Sequence, residues 1–170
     1  MSGFGTSASG GAFSLAGTDP GHAATGIWDG GSDAAAATVQ FVGLAGKNEI
    51  QIIMRNITMS VAGIPYIQVS VDNGATWFTT SGDYVVLAAT GVETNSGTGP
   101  AMTNATATAA RSAQAIIWGA NTSVPAKPIY SHANPGPSLF VGSSSPINAV
   151  RCGNTGGGNF NGGKIYCIAR

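Results

Sequence analysis

The sequence predicts an all-β fold: an antiparallel β-sandwich of jelly-roll type, preceded by an extended Gly-rich N-terminal arm. Three observations carry the prediction. Short apolar runs recur from Thr38 to the last residue, separated by Gly, Asn and Pro turns. No stretch has the apolar spacing of an amphipathic helix. The run Ile147 to Arg170 (INAVRCGNTGGGNFNGGKIYCIAR) places two alternating segments around a Gly/Asn/Thr loop. It reads as a closing β-hairpin whose second strand is tied into a sheet, although chain ends usually fray.

Residues 1–36 are rich in Gly, Ala and Ser, with scattered Phe4, Phe13, Leu15, Ile27 and Trp28. They read as an arm rather than a core element, with Phe4, Phe13, Leu15 and Trp28 as apolar docking anchors. Trp28 beside Asp29-Gly30-Gly31 is the residue placed to grip a neighbour. Residues 37–170 form the sandwich domain. Thr38 to Val42 is the first strand, and Glu49 to Thr58 the second, with Ile50, Ile52 and Met54 on one face and Ile53 and Ile57 on the other. Tyr66 to Val71 alternates, with Ile67, Val69 and Val71 on one side and Gln68 and Ser70 on the other. Asp72-Asn73-Gly74 is a hairpin turn, because Asn-Gly supplies positive φ at little cost, and Thr76-Trp77-Phe78 returns as a strand. Tyr84 to Ala89 follows, then a loop over 90–105. Ala105 to Arg111 suits helix or strand, and Ala113 to Trp118 is a strand. Four prolines mark 121–138 as a long loop or edge region, followed by a short strand at Leu139 to Val141.

Charged residues make up 8% of the chain, and seven basic residues balance seven acidic ones. A chain with so few charges and no net charge is poorly protected against association, which points to a subunit of an assembly. The balance excludes nucleic-acid binding, which needs a basic stripe against phosphates. No run reaches the length of about 18 apolar residues that spans a bilayer, so no membrane insertion is expected. The first residues lack the basic and apolar regions of a secretory signal.

Ser70 to Trp77 (SVDNGATW) fits the Asp-box pattern Ser-x-Asp-x-Gly-x-x-Trp. Turn chemistry explains each member: Ser70 and Asp72 bond the turn, Gly74 takes the positive φ and Trp77 packs below. Sialidases repeat this motif, whereas it occurs once here. The carboxylates, Asp19, Asp29, Asp33, Glu49, Asp72, Asp83 and Glu93, fall mostly in turns, and no spacing marks an acid/base pair. A glycan hydrolase is therefore the weakest functional class. Gly156-Gly157-Gly158 lies between strands and lacks the helix that a phosphate loop needs. His22 and His132 lie far apart, and no metal site or cofactor is expected. Cys152 and Cys167 are read as buried free thiols. In a symmetric hairpin they are out of register, so a disulfide needs an asymmetric loop, and an intersubunit bond is the other alternative.

Two blocks, Thr38 to Asp83 and Ile147 to Arg170, resemble a β-sandwich domain common in tailed-bacteriophage virion proteins, as in head fibres, capsid decorations and tail fibres. The resemblance rests on Phe41-Val42-Gly43-Leu44, Ile52-Ile53-Met54-Arg55-Asn56-Ile57, Val69 to Trp77, Ile147 to Arg151 and Gly162 to Arg170. Cys152, Cys167 and Ala169 depart from the pattern. What the resemblance implies is a non-enzymatic structural protein located in the virion. On that reading the partners are other virion proteins of capsid or tail and further copies of the chain, with a trimer the expected symmetry. The alternative is a receptor-binding module of a tail fibre, with loops 90–105 and 121–146 meeting a host-surface glycan through Tyr130 and His132.

Overall fold

The computed structural model describes residues 12–14, 24–87, 93–96, 98–103, 108–131 and 138–170. Its strands are β1 (Ala12–Ser14), β2 (Ala24–Asp29), β3 (Thr38–Val42), β4 (Glu49–Met59), β5 (Pro65–Ser70), β6 (Tyr84–Leu87), β7 (Glu93–Ser96), β8 (Arg111–Trp118), β9 (Lys127–Ser131), β10 (Ser138–Phe140), β11 (Ala149–Asn154) and β12 (Phe160–Ala169). They form the predicted sandwich. A four-stranded sheet has the order β1-β3-β11-β5, and an eight-stranded sheet the order β2-β12-β4-β8-β9-β10-β6-β7. Pairing is antiparallel except between β1 and β3, which run parallel.

Alternation decides the core. Val39 and Phe41 of β3, Ile67 and Val69 of β5, and Val150 and Cys152 of β11 point inward from the small sheet. Ile50, Ile52 and Met54 of β4 and Ile165 and Cys167 of β12 meet them from the large one. Packing two inner faces of this kind is what excludes water from a sandwich.

Several expectations are corrected. The closing segment is not a hairpin: β11 pairs with β3 and β5, whereas β12 pairs with β2 and β4 in the other sheet. The Gly-rich loop is an arch between sheets, and the same turn residues serve either geometry. Ile57 lies in the core, not on the outer face, because Asn56 adopts φ 51° and a bulge between Met54 and Ile57 restores inward pointing. β12 answers with its own irregularity, where Gly163 takes φ 82° and a Cβ would lie 2.3 Å from the Asn56 carbonyl oxygen. Thr76 to Phe78 forms no strand; Phe78 N–H donates to the Val69 carbonyl at 3.2 Å, and the chain then crosses to the large sheet.

The loop expected over 90–105 contains β7, and the Pro-rich segment contains β9, whereas the short strand expected at Leu139 to Val141 is present as β10, with Pro128 opposite Leu139. Finally, the arm does not extend to residue 36. β2 is a member of the large sheet, and Trp28 is 0% exposed, edge-to-face with Phe160 at 6.1 Å. Trp28 therefore stabilises its own subunit and is not available to anchor a neighbour. Phe13 falls on β1, while Phe4, Leu15, His22 and His132 lie outside the described residues.

Candidate functional site

The Asp-box turn is built by short-range hydrogen bonds. Ser70 Oγ donates to Asp72 Oδ1 at 2.6 Å and accepts from Gly74 N–H at 2.9 Å. Thr76 donates its N–H to Asp72 Oδ1 at 2.9 Å and its hydroxyl to Oδ2 at 2.5 Å. These donors, Ser70 first and then Thr76, hold the Asp72 carboxyl down to a pKa of about 2. Asn73 and Gly74 take φ 59° and 87°. The turn is also fastened outward: Gly43 N–H donates to Asn73 Oδ1, and Asn73 N–H to Asn148 Oδ1, each at 2.7 Å. The Ser70 hydroxyl, the Asp72 carboxylate and the Asn73 side-chain carbonyl oxygen are thus occupied in holding the turn.

Trp77 does not pack into the sandwich. Its ring lies on the outer face of the small sheet, 4.8 Å from the Arg151 guanidinium carbon. Arg151 Nε donates to Gln68 Oε1 at 2.7 Å, its cross-strand neighbour on β5. Tyr66 covers Gly153 on the same face, where a Cβ would sit 2.4 Å from the phenol oxygen. The small sheet therefore shields its outer surface with its own side chains.

The large sheet leaves more apolar surface uncovered. Ile27 and Tyr130 are each 48% exposed and Trp118 is 44% exposed. Tyr130 flanks a shallow cleft of about 240 Å³ lined by Gln114, Ile116 and Ser131. Sequence reasoning missed Ile27 and Trp118 as surface residues. Strand parity held the signal, since Gly26 and Trp28 alternate with Ile27.

Cys152 and Cys167 are free thiols buried in the core, on opposite sheets. Burial pushes the Cys167 thiol up to about 12 and the Cys152 thiol higher still. Both stay protonated at neutral pH, and neither reaches the surface that an intersubunit bond requires. Lys127 was also missed. Its fully buried side chain donates from Nζ to the carbonyls of Val124, Ser143 and Ser144 at 2.9, 3.3 and 3.2 Å. It ties the β8–β9 connection to the β10–β11 connection, and its ammonium lies over the Phe140 ring, 5.7 Å from the centroid. Among the described residues, no three His, Cys, Asp or Glu side chains come close enough to hold a metal ion. Among the described residues, no helix is long and apolar enough to cross a membrane.

No family model matches the chain, and no curated protein matches it. Among solved structures it is similar to an alginate lyase from Alteromonas sp. 272, at 11% identity and a TM-score of 0.31, covering 85% of this chain and 91% of that one. A polysaccharide lyase of family 18 matches at 10% identity and a TM-score of 0.30, with the same coverage. A sialidase matches at 14% identity and a TM-score of 0.31, covering 89% of this chain and 14% of that one. The likeness is one of distant all-β architecture, and no residue role is transferred from it.

Proposed function

We propose that the chain is a non-enzymatic structural protein of a phage virion, a capsid decoration, head fibre or tail-associated subunit that works by docking and display. The observation that carries this reading is the exposure of Ile27, Trp118 and Tyr130 on the outer face of the eight-stranded sheet, on a chain of zero net charge. Large exposed apolar patches on soluble domains mark contact with another macromolecule. The order of the phage-like sequence blocks supports the same reading. The docking arm is now the segment before β1, with Phe4 as its anchor, because Phe13 lies on β1 of the four-stranded sheet. Removing residues 1–11, which precede β1, is expected to leave a folded sandwich that no longer enters particles. Full occupancy of particles by the truncated chain would contradict the docking role.

Recognition of a host-surface glycan is the second reading, favoured by the exposed Tyr130 ring at its cleft. His132 is its further proposed contact. Glycan-array binding that disappears in Tyr130→Ala, with the fold intact, is the expected outcome. Binding unchanged by that substitution would remove the cleft from consideration.

A further inference from the structure

We infer that the outer face of the eight-stranded sheet is the surface through which copies of this chain associate, each face meeting the same face of a second copy. The inference rests on the reading of the chain as an assembled building block, and it names the surface used.

Cross-strand register assembles the patch. Ile27, Tyr166 and Ile53 form one row across β2, β12 and β4. Ile168 on β12, Ile116 on β8 and Tyr130 on β9 form the next, with Gln51 of β4 between the first two. Ile27 and Tyr130, at its opposite margins, are the most exposed, and the other apolar members are partly covered. Trp118 continues the patch along β8, opposite Glu49.

The charges of this face are balanced within the subunit, as contact with an identical face requires. Asp29 and Lys164 pair at 2.7 Å at one end of the central strands, and Glu49 and Arg170 pair at 2.8 Å at the other. Both pairs close within one subunit, and at the first end the exposed Arg55 and the Asp33 carboxylate, which accepts from Asp29 N–H at 2.6 Å, add one charge of each sign. A nucleic acid or an anionic lipid surface is attracted by a field of one sign, which these pairs do not provide. Two identical faces of this kind meet with little repulsion, and the zero net charge of the whole chain removes the long-range penalty as well.

Size agrees with this. At about 4.8 Å between strands and 3.3 Å per residue, the strands from β2 to β6 present roughly 700 Å². Each partner in a standard interface contributes about 800 Å². The cleft beside Tyr130 has room for an apolar side chain from the facing copy, which would fix the register of the contact.

Sedimentation velocity of the full chain from ~1 to ~100 µM, with Ile27→Lys, Tyr130→Lys and the double variant, tests the inference. Both positions are half exposed, so far-UV circular dichroism and thermal unfolding should match the unsubstituted chain. The expected result is an oligomer whose dissociation constant rises at least about tenfold in each single variant, and a monomeric double variant. A monomer throughout this range overturns the inference. So does an oligomer indifferent to both substitutions, or one that dissociates with Gln40→Lys on the small sheet instead. Particle incorporation separates the two readings. A chain that enters particles through another surface leaves the virion role standing and removes this face from it. A chain that never enters particles removes the role itself.

Discussion

The two sheets of the sandwich treat their outer faces in opposite ways. On the small sheet, Trp77 lies over Arg151, Gln68 holds the Arg151 guanidinium, and Tyr66 fills the space above Gly153. On the large sheet, Ile27, Trp118 and Tyr130 stand uncovered between two ion pairs closed at the sheet's ends. A face that satisfies its own polar groups and covers its own apolar ones has little to gain from a partner. The uncovered face gains roughly 25 cal/mol for each Å² of apolar surface that a partner removes from water. Motif recognition alone would have directed attention to the Asp box. The energetics direct it to the face with no motif.

The largest effect expected is at the boundary between the arm and the sandwich. Trp28→Ala should cost about 3–5 kcal/mol, because the cavity forms among Phe160 and the β2–β12 core. Chemical denaturation measures it. Unchanged stability with lost docking would return Trp28 to the role of an arm anchor. Smaller is Trp77→Ala, which removes the ring over Arg151 and exposes the small sheet. A loss of about 1–2 kcal/mol is expected from cation–π and covering contacts together, with the oligomeric state unchanged. Dissociation of an assembly by this substitution would reverse the comparison of the two faces.

Smallest is the acid dependence of the Asp-box turn. The folded-state pKa of Asp72, about 2, lies below the ordinary value of 3.8. Its stabilising contribution is therefore fully present above pH 3.8 and lost as pH falls through about 2. Asp72→Asn should flatten the pH dependence of the unfolding midpoint in that window, by only a small amount because the carboxylate is exposed. An unaltered profile would show that the turn does not depend on the Asp72 charge.

Much of the fold was legible because alternation is a local signal. Thr38–Val42 and the β4 run show it directly; each became a strand, and Ile50, Ile52 and Met54 share one face as expected. Beyond Met54 the positive φ of Asn56 reverses the parity, and nothing in the residue pattern marks that event. The β11–β12 arch escaped for a different reason. Gly and Asn permit both a tight hairpin and a crossing between sheets, and only the partners β3, β5, β2 and β4 decide between them. Pro128 hid β9 because proline usually argues against an inner strand. The Asp-box turn was legible as chemistry, since Ser70, Asp72 and Gly74 act within a few residues of one another. The uncovered face was not, because its rows join residues as distant as Ile27 and Tyr166.

The most direct test of the central claim is a cryo-electron microscopy map of native particles that carry this chain, at a resolution that shows its side chains. The account predicts the outer face of the eight-stranded sheet buried against another copy, with Ile27 and Tyr130 inside the contact and Trp77 facing solvent. Density that leaves Ile27, Trp118 and Tyr130 in solvent while the Trp77 face packs on a neighbour would contradict it.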